Sequence, residues 1–230
     1  MNSIGFEVKK FHPESSALAM LIKSLEYFNI DLIVDVGAND GQFSQSIRAG
    51  GYRGTIVSIE PLSSAHEILM KNSKSDTHWI VLPRCAAGEV EHETTINISS
   101  NSVSSSILAM LDAHKSAAPD SKFRAVEPVR VYKLDDLLLP YIKGHSNIFV
   151  KIDTQGYEWQ VLNGLEHTFK KIRGVQIELS MLPLYEGQHL WRECVSRLEL
   201  EDFILWGLQP AFVNTQNGRT MQFDGLFFKE

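Results

Sequence analysis

The sequence is poor in cysteine and has no long apolar run. Its two cysteines, Cys85 and Cys194, lie far apart in the 230 residues and lack metal-ligand spacing, which argues against a disulfide framework and favours a reducing compartment. No run approaches the ~18 apolar residues of a membrane-spanning helix. The N-terminus also carries charges where a signal peptide needs its apolar stretch. The sequence therefore predicts a cytoplasmic protein with no membrane span.

An excess of positive charge is also missing. The chain has 22 Lys and Arg against 28 Asp and Glu, which gives a formal net charge of −6 at pH 7. A surface that binds polyanions needs the opposite balance, so nucleic acid is not an expected partner. Hydrophobic residues make up 43% of the chain, enough for a sizeable core, and the length suits one domain over residues 1–230.

The loop after the first apolar run has neither the Gly-x-Gly-x-x-Gly spacing of a dinucleotide site nor a P-loop lysine. It reads Asp-Val-Gly-Ala-Asn-Asp-Gly-Gln over residues 35–42, and a second apolar run ends at Glu60, 19 positions after Gly41. Gly37 and Gly41 would let the backbone turn tightly and approach a ligand. A carboxylate at Glu60 could accept hydrogen bonds from both ribose hydroxyls. The pattern predicts a nucleotide-type pocket, although Glu60 could instead cap the following helix.

The charge of this loop indicates which ligand it would bind. Asp35 and Asp40 place negative charge where a phosphate would be repelled and a cationic amino acid with a sulfonium would be attracted. S-adenosylmethionine (SAM) fits this description. The alternative is an ordinary strand, turn and helix in which the glycines serve only the turn.

Strand and helix patterns alternate along most of the chain, which predicts a parallel sheet. Helical spacing of apolar residues predicts a covering helix over 15–28, within an N-terminal segment of residues 1–30. The period changes between residues 88 and 144, where two short strands are expected in an insertion over the sheet. Near the C-terminus, an Asn-Gly turn at 217–218 predicts a hairpin with an antiparallel strand at the end of the sheet. The expected strands are 32–36, 55–59, 79–82, 94–98, 129–132, 148–152, 174–179, 203–206, 211–213 and 225–228, and the other helices 42–49, 63–72, 158–165 and 189–200.

Two carboxylates follow predicted strands at the edge where parallel sheets bind their ligands. Asp153 follows the strand at 148–152, and Glu178 ends the strand at 174–179. Asp153 is the first candidate for a general base that accepts a hydroxyl proton, and Glu178 is the second. Asp153 could instead be a helix N-cap, and the pair could instead hold a divalent cation. Lys151 lies in the same apolar strand and should pair with a carboxylate or a carbonyl.

Several blocks together resemble the FkbM-type SAM-dependent methyltransferases, from about Leu32 to the C-terminus. They are the loop at 35–42, Ser58-Ile59-Glu60-Pro61, Ser104-Ser105-Ser106, residues 134–137, Val150-Lys151-Ile152-Asp153-Thr154-Gln155-Gly156-Tyr157-Glu158, Ile177-Glu178-Leu179-Ser180 and Pro183-Leu184-Tyr185-Glu186-Gly187. The resemblance implies a Rossmann-like class I methyltransferase fold with a seven-stranded, mostly parallel sheet, an antiparallel C-terminal strand and helices on both faces. It also implies methyl transfer to a hydroxyl, usually of a sugar or natural product.

Site residues are assigned at the positions that match these blocks. The loop should lie against the methionine part of SAM with Asp35 attracting its amino group, and Ala86 and Ala87 could lie against the adenine or simply pack. The predicted cofactor-binding residues are Asp35, Gly37, Ala38, Asn39, Asp40, Gly41, Gln42, Glu60, Pro61, Ala86, Ala87 and Asp153. The predicted acceptor-binding residues are Ser104, Ser105, Ser106, Gln155, Tyr185, Glu186 and Gln188. Turn chemistry explains the serine cluster and the loop at 185–188 about as well.

The sequence thus predicts SAM-dependent O-methylation of a sugar or glycosylated metabolite, with a divalent cation as an open question. The insertion at 88–144 is expected to shape the acceptor site and could form a homodimer contact. Two rival hypotheses remain at this stage. A silent SAM-binding or scaffold protein would need neither Asp153 nor Glu178, and a nicotinamide-dependent oxidoreductase would need the glycine spacing that is absent.

Overall fold

Residues 10–230 of the computed structural model are described, and ten strands and seven α-helices form within them. The strands are β1 (Leu32–Val36), β2 (Thr55–Ile59), β3 (Trp79–Val81), β4 (Ala86–Gly88), β5 (His92–Ser99), β6 (Phe123–Lys133), β7 (Ile148–Ile152), β8 (Ile172–Ser180), β9 (Ile204–Val213) and β10 (Thr220–Phe228). The helices are α1 (Ala17–Tyr27), α2 (Gln42–Ala49), α3 (Ser63–Ser73), α4 (Asp112–Ala117), α5 (Leu134–Leu138), α6 (Glu158–Asn163) and α7 (Trp191–Glu199).

A seven-stranded sheet with the order β3-β2-β1-β7-β8-β10-β9 forms the centre of the fold. The pairs from β3 to β8 are all parallel, and β10 is antiparallel to both of its neighbours. Strand β10 is therefore the one strand of this sheet that runs against the others. This confirms the predicted fold class, a mostly parallel seven-stranded sheet of the Rossmann-like methyltransferase type with an antiparallel C-terminal strand.

Helices cover both faces of this sheet. Neighbouring residues of each strand point to opposite sides, so they pack against different helices. Ile33 of β1 packs with residues of α1, α2 and α3, whereas Val34 packs with residues of α5, α6 and α7. Strand β1 is buried over its whole length, as expected for a central strand of a doubly covered parallel sheet. The central parallel strand thus lies wholly within the core.

Helix α1 is the predicted covering helix. The Ser16 side chain caps it by accepting a hydrogen bond from Ala19 N at 3.3 Å. Leu21 and Leu25 point inward from it and belong to the core cluster on this face of the sheet. Residues 1–9 of the predicted N-terminal segment lie outside the described residues.

The C-terminal hairpin differs from the prediction in two respects. Residues 204–213 form a single strand, β9, where two separate extended runs were expected. Pro210 is tolerated within it because β9 is an edge strand with one unpaired side. In addition, the antiparallel strand β10 lies one position inside the edge, between β8 and β9, and not at the end of the sheet.

A second sheet of three strands, in the order β4-β6-β5, contains much of the segment between β3 and β7. Strands β5 and β6 pair antiparallel and contain both short strands that were predicted there. Strand β4 was not predicted; it pairs parallel to β6 and contains Ala86 and Ala87. The last part of the predicted insertion packs elsewhere, since Leu134 and Leu138 are fully buried in the main core cluster. Within the described residues, no helix is long and apolar enough to cross a membrane.

Candidate active site

A cavity of about 260 Å³ opens at the carboxyl ends of the parallel strands. The connections after β1 and β7 leave in opposite directions in the sheet order, which makes the gap between these strands the switch point at which such sheets bind ligands. The cavity lining comes from the turn after β1, the end of β2, strand β4, the loop after β5 and the end of β7. The lining includes Gly37, Ala38, Asn39, Gln42, Phe43, Glu60, Pro61, Leu62, Ala86, Ala87, Ile96, Ser102, Ser105, Lys151, Asp153, Thr154, Gln155, Gln176 and Asp224.

Both glycines of the turn after β1 are required by its backbone. Gly37 has φ +78°, and a Cβ there would lie 1.9 Å from the carbonyl oxygen of Asp153. Gly41 has φ +93°, and a Cβ there would lie 2.7 Å from the Trp79 ring. The chain can therefore approach the end of β7 at Gly37, and Trp79 of β3 at Gly41, only without these side chains. Gly41 and Asp40 support the turn from outside the cavity lining, whereas Gly37, Ala38, Asn39 and Gln42 belong to it.

Glu60 connects the turn to the end of β2. Its Oε2 accepts a hydrogen bond from Asn39 N at 2.7 Å, and its Oε1 accepts one from Leu62 N at 2.8 Å. Glu60 thus accepts a hydrogen bond from the residue that precedes α3, which fulfils part of the alternative capping role. Its carboxylate also belongs to the cavity lining. Burial raises the pKa of Glu60 to about 7, against the lowering effect of the two backbone N–H groups. Glu60 is therefore a nearly enclosed acceptor with lone pairs still free for a ligand.

Asp35 lies beneath the cavity and not in its wall. It is fully buried, accepts a hydrogen bond from Ser44 Oγ at 3.0 Å and faces Lys151 Nζ at 3.4 Å. Burial raises the pKa of Asp35 despite the nearby Lys151 charge. Asp35 does not line the cavity, and its carboxylate faces Lys151. The attraction of a ligand amino group by Asp35 stays a prediction.

Lys151 has the carboxylate and carbonyl partners that were predicted for it. Its ammonium lies 3.4 Å from Asp35, 3.3 Å from Asp153 Oδ2 and 3.2 Å from the Gly37 carbonyl oxygen. Burial disfavours the ammonium, but the charges of Asp153 and Asp35 outweigh it and raise the pKa of Lys151 above its usual range. The lysine is thus a fixed positive charge between one carboxylate in the cavity wall and one beneath it.

Asp153 extends from the end of β7 into the cavity wall, with its side chain 38% exposed. Lys151 contacts one of its oxygens, and Gln155 Nε2 donates to the other, Oδ1, at 2.9 Å. The alternative role of Asp153 as a helix cap is wrong. Helix α6 begins after Tyr157, and Glu158 accepts the N–H groups of Thr154 and Gly156. Asp153 is therefore a carboxylate held in place by side chains and left open to the cavity.

Glu178 lies next to Asp153 but outside the cavity lining. The Gln155 amide bridges the two carboxylates by also donating to Glu178 Oε2 at 2.8 Å, and Gln222 Nε2 donates to the same oxygen at 2.6 Å. Burial, and then the charge of Asp153, raise the pKa of Glu178 well above its usual value. The residue is thus a buried partner of the Gln155 amide. Across residues 10–230, no group of three or more His, Cys, Asp or Glu side chains is arranged to hold a metal ion.

Asp224 is a cavity carboxylate that the sequence analysis missed. It faces Glu178 in the β8–β10 register and belongs to the cavity lining, where Gln176 contacts it. Burial and the charge of Asp153 raise the pKa of Asp224 to about 6. A signal was available, because an antiparallel last strand brings its first half to the ligand-binding edge, and Asp224 directly precedes the apolar run that marked this strand.

The predicted acceptor-binding residues separate into two groups. Ser105 and Gln155 belong to the cavity lining. The others make contacts within the protein. Tyr185 is fully buried and its hydroxyl donates to the Ser104 carbonyl oxygen, while Ser106 Oγ donates to the Gln155 carbonyl oxygen. In the loop after Tyr185, Gln188 Nε2 donates to Ser180 Oγ, and the exposed Glu186 donates its backbone N–H to Ala109 O. Besides the lining residues of the turn, Glu60 and Asp153, the predicted cofactor-binding residues Pro61, Ala86 and Ala87 also belong to the cavity lining.

Tyr185 orients the bridging amide. Its hydroxyl lies 3.0 Å from Gln155 Oε1 and 3.2 Å from the Ser104 carbonyl oxygen. Because the hydroxyl can donate to Gln155 Oε1, the Nε2 side of that amide faces Asp153 and Glu178. Gln155 itself has φ +53°, a conformation that the surrounding contacts must hold in place. A buried tyrosine thus fixes the position of a cavity carboxylate through one intermediate residue.

The sheet and its cavity define a class of α/β proteins in which a nucleotide-like ligand binds between a glycine turn and a carboxylate at the end of the second strand. The family model described as Methyltransferase FkbM domain matches residues 35–205, well over half of the chain. The chain therefore belongs to the FkbM family of SAM-dependent methyltransferases.

Solved structures with low sequence identity also match, while a search of curated proteins gave no match. Precorrin-6y C5,15-methyltransferase from Geobacter metallireducens GS-15 has 9% identity and a TM-score of 0.48, with 100% of this chain and 96% of that chain covered. Magnesium protoporphyrin IX methyltransferase from Synechocystis PCC 6803 with bound SAM has 8% identity and a TM-score of 0.49, with 96% and 80% covered. Fibrillarin from Aeropyrum pernix with natively bound SAM has 8% identity and a TM-score of 0.47, with 86% of this chain and 66% of that chain covered. At these values the matches carry no information on the acceptor of this chain.

Proposed function

We propose that this protein transfers the methyl group of SAM to a hydroxyl of a small acceptor, a sugar or a glycosylated metabolite. The observation that carries the proposal is the position of Asp153, a carboxylate open to the cavity at the switch point and held by Lys151 and Gln155. A hydroxyl that attacks a methyl group must lose its proton, and a carboxylate held beside it can accept that proton.

The donor set of the cavity fits SAM. The Glu60 carboxylate would accept the ribose hydroxyls, since each of its oxygens has a lone pair beyond its backbone partner. The small or apolar walls at Leu62, Ala86 and Ile96 would take the adenine. The turn at 37–39 would lie against the methionine part, where its backbone can approach a ligand closely. Bound SAM supplies a methyl group activated by a sulfonium.

The protein's own residues would then position the acceptor and hold its proton. Asp153 would hydrogen-bond the hydroxyl and accept its proton, while Lys151 balances the charge of that carboxylate before the transfer. Gln155 would keep Asp153 from rotating away, because its amide also contacts Glu178. Ser102, Ser105 and Thr154 offer further polar groups in the cavity wall to a polyhydroxyl acceptor. Holding the hydroxyl in line with the methyl group and excluding water would be most of the catalytic work.

Cofactor affinity should depend on pH through Glu60. Its pKa of about 7 means that the carboxylate is largely protonated below neutral pH, and only the ionised form can accept from both the backbone and the ribose. SAM affinity should therefore fall about tenfold between pH 8 and pH 6. Calorimetric titrations at both pH values measure this. Glu60→Gln should remove the difference and Asp224→Asn should keep it; a difference that persists in Glu60→Gln would contradict the assignment.

Tyr185→Phe should lower kcat about tenfold and leave SAM affinity unchanged. Without the hydroxyl, the Gln155 amide can rotate and turn its oxygen toward Asp153, which weakens the hold on that carboxylate. Initial rates with a verified acceptor measure the effect, with the exposed Tyr27→Phe as control. Turnover equal to that of the parent would show that Tyr185 does not act through Gln155.

The experiment that tests the proposed reaction is methyl transfer with isotope-labelled SAM to a panel of sugars, nucleotide sugars and glycosides, with Mg²⁺ and with a chelator. The bond to the labelled methyl group, read by NMR of the product, distinguishes oxygen from nitrogen or carbon. Labelled O-methyl products support the proposal. Transfer only to nitrogen or carbon would overturn it, and SAM binding without transfer to any acceptor would favour a silent SAM-binding protein.

The remaining expectations concern the setting of the enzyme. We propose a cytoplasmic location, which the two unpaired, buried cysteines support. The three-stranded sheet and its loops place Ile96, Ser102 and Ser105 at the cavity, which supports a role of this segment in shaping the acceptor site. A homodimer contact through it stays a prediction.

A further inference from the structure

A second cavity of about 180 Å³ adjoins the first. Three residues line both cavities: Phe43, Gln176 and Asp224. The remaining wall of the second cavity is formed by Ala17, Leu18, Met20, Leu21, Gln209 and Leu226. The two cavities therefore meet at a junction defined by Phe43, Gln176 and Asp224, and the second one extends from this junction under helix α1.

The strand register explains why polar and apolar groups meet at this junction. Lys151 pairs with Gln176, and Gln176 pairs with Leu226, so one row across β7, β8 and β10 changes from charged to apolar. The next row on the same face of the sheet, toward the carboxyl edge, contains Glu178 and Asp224. The first turns of α1 lie over the apolar end of this arrangement and contribute Leu18 and Leu21. A molecule that spans both cavities would meet carboxylates on one side and hydrocarbon on the other.

The chemistry of the second cavity differs from that of the first. Six of its nine lining residues are apolar, and its polar ones are two neutral amides and Asp224. Burying hydrocarbon against these walls is favourable by roughly 25 cal/mol per Å². An anionic group would be repelled by the Asp224 carboxylate in the wall and by the Asp153 carboxylate beyond the junction. The cavity thus suits a neutral, apolar group of limited size.

We propose that the second cavity binds an apolar substituent of the methyl acceptor, which makes the acceptor a hydroxyl compound with a small hydrocarbon or aromatic group beside the methylated hydroxyl. The inference rests on the proposed function and narrows it, from sugars in general to sugars or glycosylated metabolites with such a substituent. The hydroxyl would lie at the junction within reach of the cavity carboxylates, and the apolar group would lie against Leu18, Leu21 and Leu226.

Benzyl alcohol tests this inference, because it joins a hydroxyl to an apolar ring, and glycerol is its polar counterpart. Each is titrated into the full chain saturated with S-adenosylhomocysteine, and leucine methyl resonances are followed by NMR. The expected result is saturable shifts at Leu18, Leu21 and Leu226 with benzyl alcohol, with affinity at least fivefold higher than for glycerol. Absence of such shifts, or shifts confined to other leucines, would overturn the inference.

Two variants of the cavity wall and one control complete the experiment. Leu18→Asp places a charge in the second cavity, and Ala17→Trp fills it from an exposed position, so that one variant remains informative if the other folds poorly. Both should weaken benzyl alcohol binding at least fivefold, whereas Leu139→Asp, at a 58% exposed site outside both cavities, should not. Benzyl alcohol binding that both variants retain would refute the site. The titration with S-adenosylhomocysteine that precedes each experiment reports separately on the proposed function, since its failure would concern the cofactor and not the acceptor.

Discussion

Asp153→Asn should lower kcat by about 10²- to 10⁴-fold, the usual contribution of a positioned general base. The amide has nearly the shape of the carboxylate, and its oxygen can still face Lys151 or the Gln155 amide. It cannot accept the proton of an attacking hydroxyl. SAM affinity should change little, because the proposed ribose and adenine contacts come from Glu60, Leu62, Ala86 and Ile96 and not from Asp153. Initial rates with a verified acceptor, together with SAM titration, measure both effects.

The neighbouring carboxylates provide matched comparisons. Glu178→Gln alters the far side of the Gln155 bridge without reaching the cavity lining, so its effect should be smaller. Asp224→Asn changes the other carboxylate of the lining and tests whether the base lies on β10 instead. Unchanged turnover in Asp153→Asn would remove Asp153 as the base. A larger loss in Asp224→Asn than in Asp153→Asn would transfer the role to Asp224.

Glu60→Ala should weaken binding of both SAM and S-adenosylhomocysteine about 100-fold. The variant removes an acceptor for two ribose hydroxyls, and hydrogen bonds to a charged group contribute about 1.5–3 kcal/mol each. It also removes the acceptor that ties Asn39 N to Leu62 N, so the turn after β1 loses its fixed position. Calorimetric titration measures the change in Kd, and thermal unfolding shows how much of it comes from stability.

Glu127→Ala is the control for the capping function of Glu60. Glu127 also accepts hydrogen bonds at the start of α3, from Ser63 N at 2.8 Å and Ser63 Oγ at 2.6 Å, but it does not belong to the cavity lining. Its removal should lower stability through the lost contacts at the start of α3 and leave SAM affinity within about twofold, because Glu127 does not line the cavity. Equal SAM affinity in Glu60→Ala and the parent protein would refute the ribose assignment.

The core strands were predictable because each has to be buried on both faces. Strands β1, β2 and β7 have the predicted bounds, since short apolar runs between turn signals leave little choice of register. The edges of the sheet were harder. Strand β9 is exposed at several of its apolar residues, so its pattern shows no clear burial face. Strand β4 is only three residues long and depends on its pairing with β6, which local sequence does not encode.

The site residues that directly follow a parallel strand were predictable from the sequence. Those whose position depends on side-chain packing or on strand register were harder to predict. Glu60 and Asp153 end their strands, and the parallel topology brings both to one cavity. The position of Asp35 beneath the wall was not predictable, because its carboxylate faces Lys151, a pairing that is set by the register between β1 and β7. Tyr185 was assigned to the acceptor because of its chemistry, but the contacts of its loop bury it completely. Asp224 was missed because only the antiparallel order of β10 brings it to the site.

The most direct test of the account is calorimetric titration of the purified protein with SAM, with S-adenosylhomocysteine and NAD in parallel. We expect micromolar binding of both sulfur compounds, near −8 kcal/mol, and no binding of NAD, because the Gly37 turn lacks the dinucleotide spacing. Binding of NAD alone, or of neither SAM nor S-adenosylhomocysteine, would contradict it.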